Sequence, residues 1–250
     1  MKKLMAANWK MYKTRAEAAA MLLEFKKLVQ NLPADREALV FVPFTALSAA
    51  REALEGSNKV ALGGQDLYPA KEGAFTGEIS PAMLKDCGCR FALAGHSERR
   101  HVIGESDEFV GQKTAFALAE GLDVVLCIGE TLEQREKGQL KAVLKRQLAS
   151  GVKDVPRDIA PERLSIAYEP VWAIGTGKVA GPSEILEAHA LTRKFLQEIF
   201  GVNASQMRIL YGGSVKSDNA GEIIGLDNVD GVLVGGASLQ AENFSKIVLA

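Results

Sequence analysis

The sequence predicts an α/β fold: one (β/α)8 barrel with a parallel eight-stranded core wrapped by helices. Three observations predict it. Short apolar runs alternate with longer helical patterns about eight times over 250 residues. The runs are apolar almost throughout, as strands are when both faces of a sheet are covered. Side chains able to do chemistry recur just after the runs, at the end where such barrels carry their sites. No Pro/Ser-rich linker, charge block or low-complexity segment divides the chain. Residues 1–250 therefore read as a single domain with a large core.

The elements follow in order. The strand Leu4–Ala7 precedes Thr14-x-x-Glu17, a capping box opening a helix near 15–31. Leu39–Val42 leads to a helix near 45–55. Val60–Leu62 leads into the long stretch Gly64–Ser80, which lacks a helical pattern; Ser80-Pro81 then reads as an N-cap followed by Pro at the first helical position, opening a helix near 81–87. Phe91–Ala94 leads to a short turn at 97–100 and a helix near 106–120. After Val124–Ile128, a second capping box, Thr131-x-x-Gln134, opens a helix expected as one piece near 131–150. Leu164–Tyr168 is followed by a helix near 183–200, in which Ile185, Ala188, Thr192, Phe195 and Ile199 share a stripe. Arg208–Tyr211 and Gly231–Val234 complete the strands, with helices near 217–224 and 238–248. An open doubly wound sheet is the rival, but the Gly-x-Gly-x-x-Gly turn of a dinucleotide site is missing after the first strand.

Composition narrows the partners. With 30 basic and 31 acidic residues the net charge is -1, which argues against nucleic acid or an anionic membrane as partner. An anionic ligand must then be held by a local site. The apolar part of the start Met1–Asn8 is too short for a signal-peptide core, and no apolar run is long enough to span a bilayer. Cys87, Cys89 and Cys127 cannot all pair with one another, and Cys-x-Cys is not a usual metal or redox spacing. The expectation is a cytoplasmic protein with reduced thiols.

The positions after the strands place amide, amine, imidazole and carboxylate groups on one rim: Asn8 and Lys10, Gln65, His96, Ser97 and Glu98, Glu130, Glu169, and the pairs Gly212-Gly213 and Gly235-Gly236. The opposite strand ends carry no comparable set in the sequence. Glu169 ends a buried strand, and Pro170 keeps it out of helical geometry. If Ile174 and Leu233 close over it, desolvation should raise its pKa and strengthen it as a base. The segment Pro170, Val171, Trp172, Ala173, Ile174, Gly175, Thr176, Gly177 and Lys178 mixes stiff and bendable residues, as a closing lid does. His96 precedes a short helical turn, whose dipole disfavours imidazolium and leaves a neutral ring able to donate to an oxygen. His101 and His189 read as structural. No ligand set surrounds His96 at metal spacing, so a metal role is not expected. Lys10 suits a phosphate group or developing negative charge. Glycine pairs after the seventh and eighth strands let backbone N–H groups approach phosphate oxygens.

Together these segments resemble the triosephosphate isomerase family, a TIM-barrel family. The matching segments are Asn8-Trp9-Lys10-Met11, Gly73 to Ser80, Gly95-His96-Ser97-Glu98-Arg99-Arg100, Tyr168 to Gly177, Tyr211 to Val215 and Val234 to Ser238, spread from the first strand to the last. The resemblance implies cofactor-free interconversion of dihydroxyacetone phosphate and D-glyceraldehyde 3-phosphate, part of glycolysis and gluconeogenesis. It implies Glu169 as the base, His96 as a neutral electrophile (a pKa pattern for which this family is itself the standard example), and Lys10 as positive charge. Asn8, Gly175, Ser214, Gly235 and Gly236 match substrate-binding positions, and Glu98 matches a supporting carboxylate near Lys10. The long loop matches one that inserts into a partner subunit, Thr76 reaching the neighbour's site, which implies a homodimer. Tyr12 departs from the smaller polar residue of many members, and Cys127 matches a cysteine read as structural. Two rivals remain: a Schiff-base aldolase with Lys10 as nucleophile, and an inactive barrel that binds a phosphate ligand or a partner chain.

Overall fold

Eight parallel strands close on themselves in sequence order: β1 Lys3–Asn8, β2 Arg36–Val42, β3 Val60–Gly64, β4 Cys89–Ala94, β5 Asp123–Ile128, β6 Leu164–Tyr168, β7 Ile209–Tyr211 and β8 Gly231–Val234. The computed structural model describes residues 1–174 and 179–250. Closure is made by β8 against β1, with Leu4 opposite Gly231 and Ala6 opposite Leu233. The expected strands are all present, most with one to three more residues at their ends.

Period-two alternation divides the strand side chains between two cores. Leu4, Ala6, Leu39, Phe41, Phe91, Leu93, Val125, Cys127, Ala167, Leu210 and Leu233 fill the barrel interior. Their neighbours, among them Met5, Ala7, Val40, Ala92, Val124, Leu126 and Ile166, pack outward against the helices. The interior is thus packed solid, and a ligand finds room only at an end.

The described helices are α1 Arg15–Leu28, α2 Leu47–Ala53, α3 Pro81–Asp86, α4 Asp107–Ala119, α5 Leu132–Glu136, α6 Leu140–Gly151, α7 Pro182–Phe200, α8 Ala220–Ile224 and α9 Ala241–Leu249. Both capping boxes form: Glu17 and Thr14 reciprocate at the start of α1, and Gln134 and Thr131 at the start of α5. Ser80 caps α3, accepting from the Met83 N–H at 3.4 Å. On α7, Ile185, Ala188, Thr192 and Phe195 are buried and Ile199 packs half-buried beside them.

One expectation is corrected here. The stretch 131–150 is two helices, because Gly138 adopts φ 66°. Its N–H donates to Arg135 O and the Gln139 N–H to Gln134 O, the paired bonds of a Schellman stop.

The N-terminal end of the barrel carries charge of a different kind. Arg90 pairs with Glu37 at 2.7 Å and Asp123 at 2.9 Å, and Arg208 pairs with Glu37 at 2.7 Å. These groups come from β2, β4, β5 and the residue before β7, so no local motif announces them. Each carboxylate there is matched by guanidinium, which makes the network a plug rather than a reactive set.

Candidate active site

At the C-terminal end of the barrel a cavity of about 300 Å³ is lined by Asn8, Lys10, His96, Glu169, Ala173, Ile174, Gly212 to Lys216, Leu233 and Gly235 to Ala237. Larger cavities of about 620 and 840 Å³ lie at the other end, around Glu37, Lys59 and Arg90. Size therefore does not select the site. The convergence of a carboxylate, an imidazole, an ammonium and two glycine pairs does.

Glu169 follows β6 directly and is 2% exposed. Its N–H donates to Ile128 O at 2.8 Å, tying the residue to β5. The approach is close: a Cβ on Gly129 would stand 1.7 Å from Glu169 O, so only glycine fits there. Glu169 Oε2 accepts from the Ser97 N–H at 2.9 Å, and Ser97 Oγ donates to Oε1 at 3.3 Å. The buried Cys127 thiol, inside the barrel, also helps to lower the pKa of this carboxyl.

His96 Nε2 stands 2.9 Å from Glu169 Oε1. On the other side of the ring, the Glu98 N–H donates to Nδ1 at 3.3 Å, which leaves Nε2 carrying the proton. Ser97 and Glu98 begin the helical turn that widens over Arg99–Ile103, so the predicted turn is present.

The pKa directions of this pair differ from the sequence reading. Burial drives the Glu169 carboxyl upward, as expected, but His96 and the Ser97 N–H outweigh it and hold the group below the usual carboxylate range. Burial likewise drives the His96 imidazolium down, and the Glu169 carboxylate more than reverses that, with Glu98 adding to the rise. Each residue was read alone; at 2.9 Å they titrate as a pair.

Lys10 takes a left-handed backbone conformation, φ 53°, which sends its side chain across the mouth past Gly235. Its Nζ pairs with Glu98 Oε1 at 2.7 Å. Asn8 Oδ1 accepts from the Lys10 N–H at 2.9 Å and from Gln65 Nε2 at 3.1 Å, and Gln65 Nε2 also reaches Lys10 O at 2.8 Å. The Asn8 amide and Gln65 thus hold the strained turn.

The described part of the lid segment is anchored from below. The turn Val171–Ala173 follows Pro170, and the buried Glu130 accepts from Trp172 Nε1 at 2.7 Å and from Tyr168 Oη at 3.0 Å. Ala173 and Ile174 reach the cavity wall. Gly175, Thr176, Gly177 and Lys178 lie outside the described residues. Ser214, Gly235 and Gly236 gather on the cavity as expected, with a helical turn, Gly236–Leu239, starting at the second glycine pair.

Thr76 is not brought to this cavity. It lies exposed on the 64–80 loop, which is pinned at its base by the Tyr68 N–H donating to Ile79 O at 2.8 Å and by Tyr68 packing on Phe75. The sequence places Gln65, Ser97 and Glu130 on the rim without giving them a role, and the tie between Cys127 and Glu169 is missed. Their only signal was position beside a strand tip.

A parallel (β/α)8 barrel with a buried carboxylate facing an imidazole, and glycine pairs after its last two strands, is the architecture of a barrel enzyme whose site lies at the strand tips. A sequence model described as "Triosephosphate isomerase" matches residues 3–250. The chain is 63% identical to the triosephosphate isomerase of Nitratidesulfovibrio vulgaris (Miyazaki F) and 64% identical to that of Oleidesulfovibrio alaskensis, in each case over 100% of both chains. A crystal structure of triosephosphate isomerase from Bartonella henselae superposes with TM-score 0.88 at 38% identity, covering 99% of this chain and 98% of that one. The chain belongs to the triosephosphate isomerase family, a family of isomerases.

Proposed function

We propose that the protein interconverts dihydroxyacetone phosphate and D-glyceraldehyde 3-phosphate through an enediol(ate), without a cofactor, as one domain spanning residues 1–250. The observation that carries this is the Glu169 carboxylate held 2.9 Å from His96 Nε2 at the wall of a small cavity that also presents Lys10 and two glycine pairs.

In this reading Glu169 removes a proton from the carbon beside the carbonyl and returns it to the neighbouring carbon. His96 Nε2–H donates to the carbonyl oxygen as negative charge develops there, and the ring then moves protons between the two oxygens. A substrate oxygen seated at Nε2 takes the place of Glu169 Oε1. Separated in this way, the pair loses the attraction that now offsets burial on both groups, so burial dominates: the carboxyl's pKa moves up, which strengthens it as a base, and the imidazole's moves down, which keeps the ring neutral. Lys10 supplies positive charge beside the developing oxyanion, Glu98 supports it, and Asn8 fixes its turn. The backbone at Ser214, Gly235 and Gly236, with Gly175, holds the phosphate. The lid from Pro170 to Lys178 closes over the substrate, excluding the water that would let an enediol phosphate decompose. A Schiff base on Lys10 would first have to break its ion pair with Glu98, which favours isomerisation over the aldolase reading.

The acting form is proposed to be a homodimer in the cytoplasm. Met11, Tyr12, Phe44, Phe75, Met83, Val102 and Ile103 are large apolar side chains left exposed on this chain, several of them on or beside the loops at the cavity end. A second copy covering them, with Thr76 inserted, removes that cost. For location, the three cysteines are free, and among the described residues no helix is long and apolar enough to cross a membrane.

The test is isomerisation of D-glyceraldehyde 3-phosphate in a coupled assay, native chain against Glu169→Asp. Robust native activity with a large fall in the variant supports the reading. Activity that survives the substitution removes Glu169 as base, and a folded native chain without activity overturns the function. Sedimentation of the same sample reads the dimer.

A further inference from the structure

Besides His96, the charged residues that line the cavity, among the described residues, are Lys10, Glu169 and Lys216. The first two are already engaged, Lys10 with Glu98 at 2.7 Å and Glu169 with His96 at 2.9 Å. Lys216 has no carboxylate partner among the described residues. It is exposed and shares the cavity wall with Ser214, Gly235 and Gly236. Its backbone is not free to drift. The Lys216 N–H donates to Asn219 Oδ1 at 2.8 Å, Asn219 Nδ2 donates to Ser214 O at 3.3 Å, and the Ala220 N–H donates to Lys216 O at 3.0 Å as α8 begins.

We infer that Lys216 is a specificity-determining residue that attracts and holds the dianionic phosphate of the substrate. This rests on the isomerase reading of the same cavity. Backbone N–H groups are neutral donors and take any oxygen acceptor; they do little to distinguish a dianion from a neutral sugar. Lys10 has part of its charge cancelled by Glu98. A dianion entering beside Ser214 and the glycine pairs therefore meets, among the described residues, the uncompensated positive charge of Lys216, on a stem rooted in a fixed turn. Because the ammonium stands in solvent at the mouth, its effect is screened: a unit charge against a dianion several ångströms away in water amounts to about three- to tenfold in affinity, falling with salt.

The test compares Lys216→Gln with Lys59→Gln, which changes the net charge equally but sits before β3 at the other end of the barrel. KM and kcat for D-glyceraldehyde 3-phosphate are measured at low and high ionic strength, and inorganic phosphate binding is measured by calorimetry. Lys216→Gln should raise KM and the phosphate Kd by about three- to tenfold at low salt, keep kcat within about twofold and flatten the salt dependence. Lys59→Gln should match the native chain, and Lys216→Arg should recover most of the loss. Equal behaviour of the two glutamine variants overturns the inference, as does a fall in kcat with KM unmoved, which would place Lys216 at the reacting atoms or the lid. Phosphate binding needs no turnover, so a native chain that binds phosphate in a Lys216-dependent way but does not isomerise would sink the isomerase reading alone.

Discussion

Adding one methyl group at Gly212 should displace the proposed base. Gly212 follows β7, and its N–H donates to Tyr168 O at 2.7 Å. A Cβ built there meets Glu169 Cγ at 2.9 Å and Tyr168 O at 3.1 Å. Carbon atoms rest at about 3.5–4.0 Å, so one of the groups must retreat by roughly 0.6–1.1 Å. The Tyr168 carbonyl is tied to Gly212 itself, which leaves the Glu169 stem to move. That stem is not adaptable, because its carboxylate is held by the Ser97 N–H at 2.9 Å and His96 Nε2 at 2.9 Å. A misplacement near 1 Å costs on the order of 10²-fold in rate, or about 2.7 kcal/mol of barrier. Overpacking should also lower stability by about 1–3 kcal/mol. The assay is kcat and KM for Gly212→Ala, with urea unfolding on the same preparation. The expected result is a kcat lower by about a hundredfold with KM changed far less. A folded variant that keeps more than about a third of the native kcat would refute the reasoning, because the base would then not depend on the position described.

Two further perturbations read the scaffold. Lys113, fully buried on α4, pairs with Asp66 at 2.7 Å and with Glu105; Lys113→Met leaves those carboxylates, among the described residues, only Arg99, at 2.8 and 2.7 Å. Loss of one partner from such a cluster should cost about 3–5 kcal/mol in urea unfolding, and a loss below about 1 kcal/mol would show that the cluster relaxes or hydrates. His189, also buried, donates Nδ1–H to Asn228 O at 2.8 Å, and burial pushes its pKa down from 6.5 to about 4. Between those values the unfolded chain binds a proton that the folded chain refuses, so this contribution is present above pH 6.5 and is lost as pH falls toward 4. The loss amounts to about 3 kcal/mol. His189→Gln should flatten the decline of stability between pH 6.5 and 4.5, measured by urea midpoints, and parallel profiles would rule this histidine out as the source.

Much of the fold was legible because its signals are local. The eight apolar runs needed only hydropathy, and the helix starts at Thr14, Ser80 and Thr131 needed only a side chain reaching its own backbone three residues on. The break inside 131–150 was equally local, since Gly138 stands where a Schellman stop wants glycine, but the surrounding helical pattern masked it. The cavity residues Asn8, Lys10, His96, Glu169, Ser214, Gly235 and Gly236 were legible because a barrel brings every strand tip to one rim, so order along the chain becomes adjacency in space.

What the sequence did not disclose is how those residues act on one another. Glu169 and His96 are 73 residues apart, and nothing in either segment states that their side chains stand 2.9 Å apart. Considered one residue at a time, burial at Glu169 and the helix dipole at His96 therefore gave the opposite pKa direction from that of the coupled pair, although the burial of Glu169 itself was foreseen. The same limit hides the Arg90, Glu37, Asp123 and Arg208 plug, whose members come from separate strands and look like ordinary surface charges in the sequence. It also hides Ser97 and Cys127, small residues of common type whose relevance comes only from touching Glu169. In a closed barrel the identity of a site can be read along the strands, whereas its electrostatics are set across them, by neighbours that the chain reaches only after one or more intervening helices.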